Sequence, residues 1–412
     1  MLNFQSFLTE QAGKNMHMEH LEELIFNDGV DGARNAINFL RDIRDMLAGH
    51  TTSANNITVK FDGAPAIFAG IDPYDGKFFV AKKGIFNKNP LLYKSLAEIR
   101  NDPKLHAELK KSFATAFTEF SKFGIKKGVY QGDLMFVKAD VNKEDIDGES
   151  YYTFQPNTIV YAVPVASALG KKIRRAKIGV VWHTTYTGNS IDTMSASFGK
   201  AIVPKFKQTS TVWMDDANYK DVSGSATFTA SETAKITKIL SDSGKALQGI
   251  DGSVLRLIQN DEELKGKIKT YNNTFVRAGE AFPDPKAHVR GLMEYVAAWY
   301  DKEIDKRKSD KGKQTQRVKR DEALKQVFGN VTELTNIFKL MNLLIEAKQM
   351  IVDKLNQAGG LKTLLRTKSG FKPTSQEGYV AIDHVKGAVK LVDRLEFSLA
   401  NFSPDIIKGW DR

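Results

Sequence analysis

The spacing of apolar side chains divides the first half of the chain into a helical segment and a run of short strands. Between residues 18 and 48, large apolar residues recur every three or four positions, which predicts a helix. The polar stretch 50–56 ends that pattern. From 57 to about 187, short apolar runs separated by turn-forming residues predict strands, with helical spacing only at 91–122.

A second change of pattern begins near residue 190. The stretch 190–225 is rich in serine and threonine and lacks periodicity, whereas residues 230–357 follow helical spacing. Strand patterns return at 379–382 and 388–392. We therefore predict a mixed α and β protein with three parts, which are an N-terminal helical segment (1–56), a domain formed by 57–190 and 371–412, and a mostly helical insertion (191–370).

Composition and charge narrow the classes of site and partner. The chain has no cysteine, which excludes a disulfide framework, a cysteine-ligated metal site and a cysteine nucleophile. No apolar run approaches the roughly 18 residues that span a bilayer, so we expect no membrane association. The 60 Lys+Arg against 49 Asp+Glu give a net charge of +11, which favours nucleic acid or nucleotide as partner.

The first candidate for chemistry is Lys60-Phe61-Asp62-Gly63, at the end of a predicted strand. A lysine attacks phosphorus only through an unprotonated amine, and burial beside other cations favours that form. Asp62 could hold the amine or a ribose, and Gly63 lets the backbone pass close to a ligand. The alternative is a surface turn after a strand.

Further charged residues occur on the other predicted strands. Asp133 and Glu377 supply two carboxylates, which suit a divalent cation. Lys83 and Lys390 supply positive charge for phosphates. A lysine nucleophile, two carboxylates and further lysines are together what adenylyl transfer requires.

In their order, these segments resemble the motifs of the ATP-dependent RNA and DNA ligase superfamily, which also contains the mRNA capping enzymes. Lys60 matches the lysine that takes the nucleotide, and Glu-Gly-Tyr-Val at 377–380 is a form typical of phage RNA ligases. The aromatic residue that stacks on the base is matched by Tyr161. Two departures are Ala64, where an arginine or threonine is usual, and Val392, where a second lysine is usual and Arg394 could substitute.

The resemblance implies a nucleotidyltransferase domain of antiparallel sheets and helices, with ATP and Mg²⁺ as cofactors. Lys60 would be the catalytic residue and Asp133 and Glu377 the metal ligands. The expected nucleotide-binding residues are Lys60, Asp62, Gly63, Lys83, Asp133, Tyr161, Glu377 and Lys390.

We expect the activity to be that of a polynucleotide ligase, with RNA favoured over DNA. Only 22 residues follow Lys390, too few for the C-terminal OB-fold domain that DNA ligases and capping enzymes normally use. RNA, DNA and protein remain open as acceptors, as does GTP or NAD in place of ATP. The alternative function is a non-catalytic, nucleic-acid-binding phage internal head protein that retains the fold.

Two basic clusters are candidate contacts for nucleic acid, with a solvated surface as the alternative for each. The first comprises Lys171, Lys172, Arg174 and Arg175, and the second comprises Lys306, Arg307, Lys308 and Lys311.

The first ten residues resemble the short head-targeting peptides of some tailed-phage head proteins, which are cut after a Leu-x-Glu sequence, here at 8–10. The alternative is a leader or helix that packs on the domain. We therefore expect the protein in the host cytoplasm, with packaging into the virion head as a second location.

Overall fold

The computed structural model describes residues 19–49, 55–218, 227–357, 361–383 and 387–411. In that part of the chain, three β-sheets are combined with a group of long helices, so the predicted α+β class is confirmed. Its helices and strands have the following bounds.

The strands are β1 (Asn55–Lys60), β2 (Ala66–Ile71), β3 (Phe78–Lys82), β4 (Val129–Val137), β5 (Asn142–Ile146), β6 (Glu149–Phe154), β7 (Ile159–Pro164), β8 (Ile178–Thr187), β9 (Ser195–Phe198), β10 (Val212–Asp216), β11 (Lys362–Thr367), β12 (Gly370–Pro373), β13 (Gly378–Asp383) and β14 (Gly387–Leu391). The α-helices are α1 (Leu24–Asn27), α2 (Gly29–Leu47), α3 (Leu96–Asn101), α4 (Ala107–Phe120), α5 (Ala168–Arg175), α6 (Ala230–Gln248), α7 (Gly252–Asn260), α8 (Glu262–Ala278), α9 (Pro285–Asp305), α10 (Asp310–Gly329), α11 (Val331–Asn356) and α12 (Leu399–Phe402). Short 3₁₀ turns occur at Leu21–Glu23, Ser121–Phe123, Lys138–Asp140, Ile191–Thr193, Val203–Lys205 and Gly409–Asp411, and a π turn at Arg394–Ser398.

The largest sheet has six strands in the order β10-β8-β4-β2-β3, with β9 paired to β8. Its pairs are antiparallel except for β8 with β10, which is parallel. One face packs on α4 through Phe113 and Phe120, which meet Trp182 of β8 in a shared core. Both faces of this sheet are therefore covered, since a second core that includes Phe136 and Trp213 lies against the strands from the other side.

The five-stranded sheet has the order β12-β11-β7-β6-β5, and the three-stranded sheet has the order β1-β13-β14. All their pairs are antiparallel. Each sheet joins chain segments from both sides of the helices at 230–356, because β11 and β12 pair onto β7, and β13 and β14 pair onto β1.

One hydrophobic core unites the N-terminal helices with the helices after residue 230. It includes Phe39 and Leu40 of α2, Leu240 of α6, and Leu344 and Ile351 of α11, all with 1% of their surface exposed or less. The same core takes in side chains of the three-stranded sheet, namely Ile57, Tyr379, Ala381, Val389 and Leu391. Residues 19–49 are therefore part of the helical unit.

The helical segment between the strands is shorter than the predicted 191–370. Strands β9 and β10 extend the large sheet to Asp216, and β11 begins at Lys362. These strands have four to six residues, and Ser195–Phe198 lies at a sheet edge with half-exposed side chains, so no clear alternation appears in the sequence. No helix in the described ranges is long and apolar enough to cross a membrane.

A buried network of ions ties the N-terminal segment to the helices and to the turn after β14. Lys348 Nζ donates to Glu22 Oε2 at 2.8 Å, and these side chains are 2% and 3% exposed. Arg394 lies 3.0 Å from Glu23, and Lys269 lies 3.3 Å from it. Burial opposes the ionisation of Glu22, but Lys348, His20 and Arg394 together outweigh burial and lower the pKa of Glu22 to about 2.

The first prediction tests this network. Replacing Lys348 by Met leaves the Glu22 carboxylate buried without its closest cation, so we expect the free energy of unfolding to fall by about 3–5 kcal/mol. Urea unfolding followed by tryptophan fluorescence measures the change. The control is Lys238→Met, because Lys238 forms a 2.7 Å pair with Asp242 but is 79% exposed, and its loss should leave the midpoint unchanged. Equal midpoints for the two variants would contradict the role of the network.

Candidate active site

The pairing of β1 with β13 brings Lys60 to Glu377. The antiparallel register places Lys60 opposite Gly378, and Glu377 is the residue immediately before that glycine. Lys60 Nζ donates a short hydrogen bond to Glu377 Oε1. Lys60 and Glu377, which match two of the ligase motifs and lie 317 positions apart in the chain, are therefore in direct contact.

This ion pair lies in a cavity of about 400 Å³. The walls of the cavity come from β1, the end of β3, β4, β13 and β14. The predicted residues that border it are Lys60, Asp62, Gly63, Lys83, Asp133, Glu377 and Lys390. Seven of the eight predicted nucleotide-binding residues thus surround one space.

Burial and mutual charge shift the pKa values of the ionisable groups in the cavity. Burial raises the pKa of Glu377 to about 7, although Lys60 opposes that shift, and burial also raises the pKa of Asp133. Burial lowers the pKa of Lys390, and the charge of Lys60 lowers it further. Poorly solvated amines and carboxylates of this kind are suited to pair with a phosphate group or with a cation.

Asp62 has a structural role in this arrangement. Its carboxylate accepts hydrogen bonds from Asn157 Nδ2 at 2.5 Å and from the backbone N–H groups of Thr158 and Ile159, both at 2.7 Å. These donors belong to the turn between β6 and β7 and to the first residue of β7. Asp62 therefore fixes the end of the lysine motif to the five-stranded sheet and does not contact Lys60 through a hydrogen bond within the described residues.

Tyr161 does not border the cavity, in contrast to the prediction. It is completely buried, its hydroxyl accepts the backbone N–H of Asp62 at 2.7 Å, and its ring stacks on Phe154. The prediction failed because a strand residue faces one of two sides, and the sequence of a fully buried strand such as β7 does not show which side faces the ligand.

Gly63 is required by the close approach of the loop after β1 to strand β4. A Cβ atom on Gly63 would lie 2.4 Å from Cβ of Asp133, a distance that real side chains do not reach. The next residue, Ala64, donates its backbone N–H to Leu134 O at 3.1 Å. Position 64 thus contributes a backbone hydrogen bond that places Asp133 beside Lys60.

Residues that the sequence analysis missed complete the cavity, among them Gln131, His183 and Phe198. His183 Nε2 lies 3.8 Å from Asp133 Oδ2, and burial lowers the pKa of His183. The register of β4 and β8 shifts beside His183, since Gln131 pairs with Thr184 but Gly132 pairs with Trp182. Such a β-bulge turns one side chain to a new face, and no sequence pattern marks it here.

The structure places Val392 and Arg394, the two residues near the position of the second motif lysine, away from the cavity. Val392 is buried, with 3% of its surface exposed. Arg394, the suggested substitute for a second lysine, lies in the ion network with Glu23 and is absent from the lining of the cavity. Lys390 therefore supplies the positive charge of this strand alone.

The two basic clusters are exposed and lie outside the lining of the cavity. The first occupies the end of α5, where cations also favour the helix dipole. In the second, Lys306 and Arg307 pair with Glu303 at 2.7 and 3.5 Å. The suggested peptide at 1–10 lies outside the described residues.

A comparison with known families matches residues 15–405 to a family of unknown function, DUF6267. The chain belongs to DUF6267. No curated protein and no solved structure matches the DUF6267 chain significantly. The geometry of the cavity is therefore the basis for assigning its function.

The residues of the DUF6267 cavity fit a Mg²⁺ ion that is held in part by the phosphates of a nucleotide. No group of three or more histidine or acidic side chains is arranged to hold a metal ion in the described ranges. Two carboxylates, Asp133 and Glu377, do face the cavity. Because Mg²⁺ is commonly held by one or two carboxylates together with substrate phosphates, the donor set fits an ion that arrives with a nucleotide.

The second prediction separates the structural aspartate from the functional one. Asp62→Ala removes the acceptor of two backbone N–H groups, each costing about 1–3 kcal/mol when left unpaired, so the free energy of unfolding should fall by at least about 2 kcal/mol. Asp133→Asn is the matched comparison and should be neutral or stabilising, because ionisation of Asp133 opposes its burial. Denaturant unfolding measures both variants, and the reverse order of stabilities would refute the division of roles.

Proposed function

We propose that this DUF6267 protein is a Mg²⁺-dependent covalent adenylyltransferase that acts through a Lys60–AMP intermediate. The observation that carries the proposal is the direct contact of Lys60 with Glu377, in a cavity that also contains Asp133, Lys83 and Lys390. These residues come from five separate segments of the chain. Their convergence on one space is hard to explain by surface charge alone.

In the proposed step, Lys60 Nζ attacks the α-phosphorus of ATP. The Lys60 ammonium group first loses one proton to solvent, and the free amine keeps its hydrogen bond to Glu377. A nitrogen–phosphorus bond then forms as the bond to the pyrophosphate oxygen breaks, and the second proton of the amine leaves with the pyrophosphate. Mg²⁺, held by Asp133 and Glu377 with the phosphates, would supply charge neutralisation.

The remaining cavity residues bind and position the nucleotide. Lys83 is exposed at the rim and Lys390 is half-buried in the wall, so the two amines can contact different phosphates. With Tyr161 buried, Phe198 or Phe61 takes its proposed place as the ring beside the base, since both border the cavity.

The acceptor is proposed to be a polynucleotide, with RNA favoured by the resemblance of residues 377–380 to phage RNA ligases. AMP would pass to a 5′-phosphate, and a 3′-hydroxyl would then displace it. The net charge of +11 supports a polyanionic acceptor. A nucleic-acid-binding protein without catalysis is the competing hypothesis, and the formation of a covalent adduct distinguishes the two.

The third prediction concerns the nucleophile. Wild-type protein incubated with labelled ATP and Mg²⁺ should carry an acid-labile label through denaturing electrophoresis. Lys60→Arg keeps the positive charge beside Glu377, but its guanidinium is not a competent nucleophile. The variant should therefore form no adduct, and its free energy of unfolding should equal that of the wild type. The control is Lys88→Arg, an exposed lysine outside the cavity lining, which should be labelled like the wild type. Labelling of Lys60→Arg would assign the nucleotide to another residue.

The fourth prediction concerns the carboxylates. Asp133→Asn and Glu377→Gln preserve shape but lose the charge that holds Mg²⁺, so each should lower the rate of adduct formation by about one to two orders of magnitude. Glu108→Gln, a surface carboxylate on α4, is the control and should have the wild-type rate. Wild-type rates in both cavity variants would eliminate the two-carboxylate scheme.

A further inference from the structure

Two exposed aromatic rings stand on the C-terminal segment 399–411. Phe402 is 57% exposed and Trp410 is 65% exposed, whereas rings such as Phe154, Tyr161 and Trp182 are buried. Exposed apolar rings that share one short segment mark a surface that a partner covers. Their position relative to the cavity suggests what does.

The segment is attached to the turn that borders the cavity. Thr158 Oγ1 donates to Asn401 Oδ1 at 2.6 Å, and Gly409 donates its backbone N–H to Asn157 O at 2.7 Å. Asn157 lines the cavity, and both residues of the turn hold Asp62. Each exposed ring is thus the immediate chain neighbour of a residue fixed to the edge of the site.

The attachment is close enough to hold the rings in place. A Cβ atom on Gly409 would lie 2.2 Å from Gln155 O, so the two backbones are in tight contact. Gln155 Nε2 also donates to Ile407 O at 2.7 Å, and buried Lys408 donates to Ala400 O within the segment. The rings are presented on a fixed frame.

Cations accompany the Phe402 end of the segment, which also exposes Asp405 and Asp411. The Arg277 guanidinium lies 5.4 Å from the centre of the Phe402 ring. Lys368 is exposed and follows Thr367, which pairs with Ile406 of the segment. Aromatic faces interleaved with cations are the arrangement by which proteins bind single-stranded nucleic acid, with bases on the rings and phosphates on the cations.

We propose that Phe402 and Trp410 form a stacking platform for the bases of a single-stranded nucleic acid that enters the Lys60 cavity. Single strands are favoured over duplexes because paired bases do not expose their faces. That the bound strand is the acceptor of AMP rests on the adenylyltransferase proposal, whereas the binding itself does not.

The test measures the affinity of a 5′-phosphorylated single-stranded RNA oligonucleotide, and of the matching duplex, by fluorescence anisotropy at fixed salt. Phe402→Ala and Trp410→Ala should each weaken single-strand binding on the order of 5- to 100-fold, and Trp410→Phe should restore most of the loss. Thermal unfolding of each variant verifies that it is folded.

Tyr74→Ala is the matched control, because Tyr74 is 95% exposed in the turn after β2 and the length of that strand, roughly 17 Å, separates the turn from the cavity residue Ala66. Its affinity should equal that of the wild type. A double Phe402→Ala, Trp410→Ala variant that binds single strands within twofold of the wild type would overturn the platform. So would a loss of self-association in that variant with no loss of RNA binding.

Adduct formation by the wild type with ATP alone separates the two proposals. Ring-dependent binding without an adduct would support the platform and overturn the adenylyltransferase. An adduct together with RNA binding that does not depend on the two rings would support the adenylyltransferase and overturn the platform.

Discussion

The pairing of β1 with β13 is the constraint on which the rest of the site depends. These strands come from opposite ends of the chain, and their register alone decides whether Lys60 meets Glu377. A shift of one residue would turn Lys60 toward the other face of the sheet. The register is held from both sides, since Asp62 anchors the chain after β1 and the helical core packs on the strands themselves.

The three-stranded sheet separates two environments. On one face, Tyr379, Ala381 and Leu391 belong to the core shared with the helices. On the other face, Val380, Ile382 and Lys390 border the cavity. The helices that fill the middle of the sequence therefore pack behind a sheet that forms one wall of the cavity and do not contribute to its lining.

The sequence allowed most of the longer elements to be predicted, together with seven residues that border the cavity, because both rest on local patterns. Helices α9 and α11 have regular apolar spacing, and Lys60, Asp133 and Glu377 stand in short, recognisable segments. The resemblance to ligases depends on the order of those segments along the chain, because each segment alone is short and common.

What could not be predicted depends on contacts between distant segments. The hydrogen bonds of Asp62 come from residues 157–159, almost one hundred positions later. His183 reaches the cavity through a bulge, and Tyr161 is buried because its ring packs in the core between the five-stranded and six-stranded sheets. The edge strands β9 and β10 escaped detection because they are short and partly exposed, so burial imposes little alternation on them.

The double use of the three-stranded sheet has a consequence for dissecting the protein. Because its strands complete the helical core as well as the cavity, the two units are not separable modules. A shortened chain in which a loop replaced residues 230–356 would expose the apolar face that carries Tyr379 and Leu391. Such a fragment would aggregate or lose the strand pairing, so even a minimal form of the site has to retain the helices that never touch it.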